Sequence, residues 1–311
     1  MANHSFPVSL SPILPPPLTT GAHLRVIAPA GSVNKGMLER GIERLRLWGY
    51  RVTMGESVLK CSEYLAGTDE ERFSDLWEAL TDPEVEAVIC ARGGYGTMRL
   101  LSRIDWNTPL LPKWFVGFSD LGALQINLAK RWGWVSLSGP QVASGLGAEV
   151  PDPWTLQQLK NWWEGNIPSG KLTNPQGELI VLQSHKRIET KGELIPICLS
   201  VLTALIGTPY IPNLHGSLLV FEDIGEPLYR IDRMLWQIGS SGVLEGVKGI
   251  ILGYFLYKEQ DFGEKVAQLI EHYFPHLPVW WGLPYSHREQ RLILPFGLTA
   301  GVTEEGEFLL V

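Results

Sequence analysis

Residues Trp114 to Asp120, WFVGFSD, carry the strand-to-helix pattern on which the predicted fold is based. An apolar run typical of a buried strand ends at Gly117, and Ser119 follows just before a helical pattern begins. A residue at such a strand-to-helix turn lies outside the carboxyl end of a sheet, where the amides of the next helix point at bound groups. Ser119 is therefore interpreted either as an exposed nucleophile or as the cap of the helix that begins at Leu121.

Strands and helices alternate on both sides of this stretch. Thr68 and Glu71 match a capping box at the start of one predicted helix, which Asp82-Pro83 ends. Parallel strands need crossovers of about a dozen residues, and the spacing here provides them. The sequence therefore predicts an α/β domain with a parallel sheet over residues 21–150. The other predicted strands of this domain are His23–Ala30, Tyr50–Met54 and Val85–Ala91.

Proline and glycine mark two further segments. Residues 1–20, which contain Pro12, Pro15, Pro16 and Pro17, are predicted to form an irregular tail. Residues 151–177 are predicted to be a linker that holds one short helix, Thr155–Trp163. Residues 178–311 are predicted to form a second, mixed α and β domain. Its expected elements include paired strands at 178–183 and 187–191, a helix from Leu228 that Gly239 ends, and an antiparallel hairpin at 298–302 and 307–311.

Composition excludes several classes of partner. The 311 residues carry a formal net charge of -7, which repels nucleic acids and anionic membranes. No apolar segment predicts a signal peptide or a membrane span. Cys61, Cys90 and Cys198 lack the spacing of metal or redox sites, so we interpret them as small buried residues in a reducing compartment. We expect a cytoplasmic protein without a metal or cofactor.

A serine nucleophile needs a histidine base that an acid orients. Among seven histidines, His287 differs in context because its loop, Gly282–Arg288, follows an apolar strand. Glu222 ends the apolar run SLLVF and places a carboxylate at the edge of a buried sheet. Asp223 and Glu226 remain alternatives for the acid or for a helix-capping charge, since spacing does not choose among the three.

A glycine-rich turn follows the third predicted strand as Arg92-Gly93-Gly94-Tyr95-Gly96. Such a turn supplies amide donors for an oxyanion, and glycine lets the backbone approach a ligand closely. It lacks the lysine of a P-loop and the full dinucleotide pattern, which argues against a nucleotide site. Arg92, Gly93 and Tyr95 are candidate substrate contacts. Arg92 is interpreted either as a ligand for a substrate carboxylate or as a structural ion-pair partner.

Motifs spread over nearly the whole chain resemble the LD-carboxypeptidase family, serine peptidases of the S66 type that include the microcin C immunity peptidases. These motifs are VIAPA at Val26–Ala30, ARGGYGTMRLL at Ala91–Leu101, GFSDLGAL at Gly117–Leu124, SGP at Ser138–Pro140, LSVLTALIGTPY at Leu199–Tyr210, LLVFEDIGEPLYRIDRMLWQI at Leu218–Ile238, GIILGYF at Gly249–Phe255, and GLPYSH with LPFG within Gly282–Gly297. The resemblance implies an N-terminal Rossmann-like domain, a smaller C-terminal domain and an active site in the interdomain cleft.

The resemblance also implies the catalytic groups and the reaction. A Ser-Glu-His triad falls on Ser119, Glu222 and His287, and the backbone amides of Gly94 and Asp120 form the oxyanion hole. The implied activity is removal of the terminal D-alanine from a peptidoglycan tetrapeptide by a homodimeric enzyme without a cofactor. Two departures concern substrate contacts: Ser286 replaces a usual glycine, and Pro196-Ile197-Cys198 stands where a Gly-Asn pair is frequent.

Three alternative functions and one detail of the substrate stay open. The same triad could cleave peptidyl or aminoacyl sulfamoyl-adenylates, for which the Trp162-Trp163 pair is a candidate aromatic platform. A non-enzymatic cleft protein would bind a ligand without turnover, and a structural role would leave the three catalytic residue types unexplained. The sequence does not distinguish lysine from diaminopimelate in the peptide.

Overall fold

The computed structural model describes residues 10–311, which form two compact units that divide between Ile167 and Pro168. This division lies inside the segment 151–177, the predicted linker. The first nine residues of the predicted tail, with His4, lie outside the described residues.

The N-terminal unit is built on parallel strands in the order β5-β4-β3-β1-β2. This confirms the predicted α/β class and parallel sheet. The strands are β1 His23–Ile27, β2 Arg51–Met54, β3 Ala87–Cys90, β4 Trp114–Gly117 and β5 Ser136–Ser138. The helices are α1 Lys35–Leu47, α2 Asp69–Thr81, α3 Gly122–Asn127 and α4 Pro153–Trp163, with 3₁₀ turns at Thr97–Arg103 and Ser119–Leu121 and a π turn at Leu128–Trp132.

Local sequence explains these elements. Every residue of β3 and β4 is buried, as expected for central parallel strands that are covered on both faces. Helix α1 begins where the Asn34 side chain accepts a hydrogen bond from the Met37 amide. Helix α2 begins with both hydrogen bonds of the predicted capping box between Thr68 and Glu71.

The segment before β1 is irregular but tied to the N-terminal unit. The Ile13 amide donates to the Gly133 carbonyl at 2.7 Å, and the Leu18 amide donates to the Trp163 carbonyl at 2.6 Å. Trp162 and Trp163 on α4 are both 0% exposed. The hypothesis that this pair is an aromatic platform for a ligand is therefore wrong, because the rings belong to the hydrophobic core.

The C-terminal unit contains an eight-stranded mixed sheet in the order β10-β9-β8-β7-β13-β14-β6, with β11 also paired to β9. Within this sheet, the pairs β7–β8, β8–β9 and β9–β11 are parallel. Its eight strands are β6 Gly170–Lys171, β7 Thr190–Cys198, β8 Ser217–Ile224, β9 Gly249–Tyr257, β10 Gln260–Asp261, β11 Val279–Trp281, β13 Thr299–Val302 and β14 Phe308–Leu310. A further strand in this part of the chain, β12 Leu294–Phe296, lies outside this sheet. The helices are α5 Leu199–Leu205, α6 Leu228–Ser241 and α7 Gly263–Tyr273.

Two predictions for this unit are wrong. Residues 178–183 do not pair with 187–191; they make single bridges to Thr173, Glu307 and Trp281, while β7 extends to Cys198 and pairs with β8 and β13. Helix α6 continues past Gly239, where a Cβ would lie 2.8 Å from the Phe274 ring, so this glycine makes room for the ring and does not end the helix. The helix ends instead at Gly242, whose φ of 74° is left-handed.

Burial of the cysteines follows the prediction in part. Cys90 and Cys198 are buried, but Cys61 is exposed, so its assignment to the core is wrong. Across residues 10–311, no helix combines the length and the apolar character that crossing a membrane requires.

Candidate active site

Ser119 follows β4 in a strained turn. Its φ of 64° is left-handed, a conformation that costs a residue with a side chain roughly 1–3 kcal/mol. A Cβ on Gly117 would lie 2.7 Å from the Leu121 Cβ, so the tight turn requires glycine at that position. Phe118 and Leu121 occupy the N-cap positions of the 3₁₀ turn and of α3, and in the described chain neither start has a side-chain cap. The helix-capping interpretation of Ser119 is therefore wrong.

The turn lies at the edge of the sheet where ligands bind in this topology. In the strand order 2-1-3-4-5, the chain direction of the connections reverses between β1 and β3, and the crevice forms outside their carboxyl ends. The Gly31 amide after β1 donates to the Gly93 carbonyl after β3 at 3.1 Å. The buried Arg72 guanidinium donates to the carbonyls of Pro29 and Gly96 and so braces both loops.

The glycine turn after β3 contacts the serine turn directly. A Cβ on Gly93 would lie 3.1 Å from the Ser119 Cβ and 3.1 Å from the Phe118 carbonyl oxygen. Gly94 and Gly96 have φ values of 116° and 129°, which side-chain-bearing residues rarely adopt. Close packing therefore requires glycine at position 93, and the backbone conformation favours glycine at positions 94 and 96.

Two polar side chains hold the serine turn in place. The Asp120 carboxylate accepts a hydrogen bond from the Thr97 amide at 2.8 Å, and the Gln141 side chain donates to the Phe118 carbonyl at 3.1 Å. Burial raises the pKa of Asp120, although the Thr97 hydrogen bond opposes the effect. The Asp120 side chain thus links the serine turn to the 3₁₀ turn that follows the glycine turn.

The other predicted contacts lie on the surface near this turn. Arg92 is exposed and donates to the Ser32 carbonyl at 2.8 Å, and within the described chain it forms no ion pair. Its interpretation as a structural ion-pair partner is therefore wrong. Tyr95 is 51% exposed, and its ring centroid lies 5.8 Å from that of the exposed Tyr64.

In the C-terminal unit, Glu222 and His287 form a hydrogen-bonded pair. Glu222 lies near the end of β8, where the pairing with β9 shifts by one residue. Such a bulge redirects side chains and is common beside active sites. The Glu222 side chain is 0% exposed, and its Oε2 lies 2.8 Å from Nδ1 of His287. Because a carboxylate can only accept, Nδ1 carries the proton.

This contact distinguishes the three candidate acids. Asp223 accepts hydrogen bonds from the backbone amides of Ser200 and Ile224, both in the C-terminal unit. Burial, assisted by the negative charge of Glu222, raises the pKa of Asp223 to about 6. Glu226 is paired with Arg230 at 3.6 Å on the surface of the unit. Glu222 is the acid that contacts the histidine.

Strand β9 positions the loop that carries His287. The Tyr254 amide donates to the Tyr285 carbonyl at 3.1 Å, and the Leu292 amide closes the loop on the Pro284 carbonyl at 2.7 Å. A Cβ on Gly253 would lie 2.1 Å from the Tyr285 carbonyl oxygen, so glycine permits this approach. The His287 side chain remains 20% exposed.

The Glu222 carboxylate has a second contact that the sequence does not predict. The Cys198 thiol donates to Oε1 of Glu222 at 2.8 Å. The pairing register of the two strands brings these residues together, because Cys198 ends β7 directly opposite Glu222 on β8. A cysteine at the end of one buried parallel strand and an acid at the end of the next are therefore neighbours, although 24 residues separate them.

Comparisons with known proteins identify relatives of both units. The chain matches the LD-carboxypeptidase N-terminal domain over residues 24–139 and the LD-carboxypeptidase C-terminal domain over residues 191–302. It is 35% identical to the murein tetrapeptide carboxypeptidase of Pseudomonas aeruginosa, over 88% of this chain and 91% of that protein.

Solved structures agree with these sequence relatives. The muramoyltetrapeptide carboxypeptidase from Oxalobacter formigenes is 31% identical with a TM-score of 0.77, covering 93% of this chain and 97% of that one. An MccF-like protein from Bacillus anthracis str. Ames is 26% identical with a TM-score of 0.84, covering 96% of this chain and 99% of that one. The predicted fold of two α/β domains is thereby confirmed.

Proposed function

This chain belongs to the LD-carboxypeptidase family, and we propose that it is a serine carboxypeptidase that releases the terminal D-alanine of peptidoglycan-derived tetrapeptides. The names of its relatives from Pseudomonas aeruginosa and Oxalobacter formigenes support this substrate class. The observation that carries the chemistry is the buried Glu222 carboxylate, which holds Nδ1 of His287. This contact directs Nε2 of the ring toward proton transfer.

In the proposed mechanism, Ser119, Glu222 and His287 act as a triad. Nε2 of His287 takes the proton of the Ser119 hydroxyl as its oxygen attacks the carbonyl that precedes D-alanine. The same nitrogen then protonates the departing amine, and a water molecule hydrolyses the acyl-enzyme by the reverse sequence. Glu222 keeps the imidazole in the reactive tautomer and stabilises the imidazolium that forms.

The proposed oxyanion hole uses the backbone amides of Gly94 and Asp120. Both belong to the turns that meet at the carboxyl edge of the parallel sheet. One amide of this kind lowers the barrier by about 3–4 kcal/mol when it is fixed before the reaction. The positive φ of Gly94 and the hydrogen bond between Asp120 and Thr97 would hold these two amides in place.

Substrate contacts are proposed for Gly93, Arg92 and Tyr95. Gly93 lies against the Ser119 Cβ, so it forms part of the surface beside the nucleophile. The Arg92 guanidinium is exposed and suits the terminal carboxylate of the peptide. The exposed Tyr95 ring would cover the apolar part of the substrate.

Incubation with defined substrates tests the proposal. The purified protein is offered lysine-containing and diaminopimelate-containing tetrapeptides and, in parallel, an aminoacyl sulfamoyl-adenylate, and product masses are followed. We expect D-alanine release from a tetrapeptide, and its loss in Ser119→Ala. Cleavage of the adenylate alone would favour the MccF-like alternative, and binding without turnover would favour a cleft-binding protein. Turnover that persists in Ser119→Ala would show that Ser119 is not the nucleophile.

We also propose that the protein is cytoplasmic and forms a homodimer. Its chain would divide into an N-terminal domain at 21–150 and a C-terminal domain at 178–311. Three free cysteines in the described chain are consistent with a reducing compartment. Cell fractionation tests the location, light scattering of the purified protein tests the dimer, and limited proteolysis within 151–177 tests the division.

A further inference from the structure

Three side chains that can bind a metal converge at the end of the C-terminal sheet. They are Cys198 at the end of β7, Glu222 near the end of β8 and His287 in the loop after β11. One ligand atom of each lies within 4.8 Å of the others. A thiolate sulfur, a carboxylate oxygen and an imidazole nitrogen are the ligand types that zinc prefers in proteins.

The spacing of these atoms suits a small tetrahedral ion. The Cys198 sulfur lies 2.8 Å from Oε1 of Glu222, and Nδ1 of His287 lies 2.8 Å from Oε2. Zinc bonds of about 2.0–2.3 Å place neighbouring ligand atoms roughly 3.3–3.8 Å apart. The two contacts with Glu222 would therefore have to lengthen by roughly 0.5–1 Å to admit the ion. Cys198 and Glu222 are buried, whereas the partly exposed His287 provides the side from which an ion enters.

We propose that Cys198, Glu222 and His287 form an inhibitory binding site for Zn²⁺ and similar thiophilic divalent cations. The inhibitory part of this inference depends on the proposed function. Three protein ligands leave the fourth position of the ion to water. The cation would be an inhibitor, since it occupies the groups that the proposed reaction needs.

The proton balance explains the inhibition. Zinc binding requires the Cys198 thiolate, so the thiol proton is released to solvent. It also requires the lone pair of Nδ1 of His287, so the proton that Nδ1 now donates to Glu222 leaves this nitrogen. In the neutral ring that remains, the proton lies on Nε2. Nε2 can then no longer accept the proton of the Ser119 hydroxyl, and Glu222 no longer orients the ring.

A matched pair of variants separates metal binding from hydrogen bonding. Cys198→Ser keeps a hydroxyl donor for Oε1 of Glu222 but removes the sulfur ligand that soft cations select. Cys61→Ser removes the exposed thiol, which is the other place where a cation could bind through sulfur at the surface. A site at Cys198 predicts that only the first substitution weakens zinc binding.

The test titrates the metal-free, full-length protein with Zn²⁺ by calorimetry and with Co²⁺ by absorption spectroscopy. We expect one equivalent of either ion, and a thiolate-to-cobalt charge-transfer band with tetrahedral cobalt bands. Cys198→Ser should lower zinc affinity by at least about tenfold and abolish the charge-transfer band, while Cys61→Ser keeps both. Circular dichroism verifies that each variant is folded. In the hydrolysis assay, Zn²⁺ should inhibit the wild type and Cys61→Ser at concentrations at least about tenfold below those that inhibit Cys198→Ser.

The outcomes distinguish this inference from the proposed function. Absence of binding to the wild type, or equal zinc affinity in Cys198→Ser, overturns the metal site even where hydrolysis is observed. Zinc binding that depends on Cys198, in a protein that releases no D-alanine, supports the site and refutes the proposed reaction. Zinc binding at Cys198 without inhibition of an active enzyme overturns the inhibitory role.

Discussion

Glu222 and His287 are joined by a hydrogen bond of 2.8 Å, in which a fully buried carboxylate holds one nitrogen of a ring that is 20% exposed. Burial of an ionised carboxylate is costly unless hydrogen bonds or charges compensate it. Here the Cys198 thiol and the imidazole satisfy one oxygen each. The buried carboxylate is thus compensated by two hydrogen bonds, and the reaction proposed above would use the one that holds His287.

Glu222→Gln should remove most of the activity. The amide can still accept the Nδ1 proton, but it does not stabilise the imidazolium, and a flipped amide would favour the wrong tautomer. We expect kcat to fall by about 10³–10⁴-fold with little change in KM. Steady-state kinetics on the tetrapeptide measure the effect.

Glu226→Gln is the matched control for that substitution. Glu226 is paired with Arg230 outside the buried cluster, so kcat should stay within about twofold of the wild type. If Glu226→Gln lost most of its activity while Glu222→Gln stayed active, Glu222 would not be the acid of the triad.

Two substitutions at Ser119 separate chemistry from backbone strain. Ser119→Ala and Ser119→Gly both lack the nucleophile, and each should lower kcat by about 10⁶-fold. Glycine adopts the observed φ of 64° without strain, whereas alanine does not. Ser119→Gly should therefore be more stable than Ser119→Ala by up to about 1 kcal/mol, after allowance for the larger unfolded-state entropy of glycine. Urea denaturation measures this difference, and equal stability would show that the turn is not strained.

Gly94→Ala tests the proposed oxyanion hole. A Cβ at Gly94 would find ordinary contact distances of 3.4 and 3.5 Å to Gly31, so the effect would come from the φ of 116° rather than from crowding. Rotation of the backbone to a permitted φ would move the amide, and we expect kcat to fall by about 10²–10³-fold.

Gly21→Ala is the control for the general cost of a positive φ. Gly21 has a φ of 88°, and a Cβ at this position would have no neighbouring atom within 4 Å, so alanine there strains the backbone only. This variant should lose stability in thermal denaturation and keep its kcat. A Gly94→Ala enzyme with the same kcat as Gly21→Ala would exclude the Gly94 amide from the reaction.

The N-terminal sheet could be predicted because its signals are local. Apolar runs such as Trp114–Gly117 alternate with capped helices, and each signal agrees with the parallel architecture. Residues 178–183 gave a misleading signal, because their pattern fits a strand but they form only single bridges, two of them to distant residues. Trp281 and Glu307, which form bridges to this segment, are about 100 residues or more away in sequence.

The candidate site was predictable in its residue types but not in all its contacts. A serine at a strand-to-helix turn requires a base and an acid, and chemistry alone directs attention to His287 and three carboxylates. The structure distinguishes Glu222 from the other two acids because its carboxylate contacts the imidazole of His287. Glu222 lies where the pairing of β8 with β9 shifts by one residue. Cys198 was assigned to the core because strand register, which pairs it with Glu222, is not visible in a single sequence.

Lys113 gives the protein a pH-dependent stability that does not involve the candidate site. The residue is 4% exposed, and its ammonium donates to the carbonyls of Ala79 and Asp82 at the end of α2. Burial lowers the pKa of Lys113 to about 8, and the Asp82 charge only partly opposes this. Below about pH 8 the amine is protonated in the folded and unfolded states, and the folded state carries the cost of the buried charge.

Stability should therefore rise with pH between about 8 and 10.5, the interval in which the unfolded state binds the additional proton. Lys113→Met preserves the shape of the side chain without a titrating group and serves as the reference. The unfolding free energy of the wild type, relative to that of Lys113→Met, should rise by up to about 3 kcal/mol across this interval. Urea titrations at a series of pH values measure it. A difference that is constant with pH, or that shifts toward the variant, would contradict a buried ammonium, because an exposed lysine titrates alike in both states.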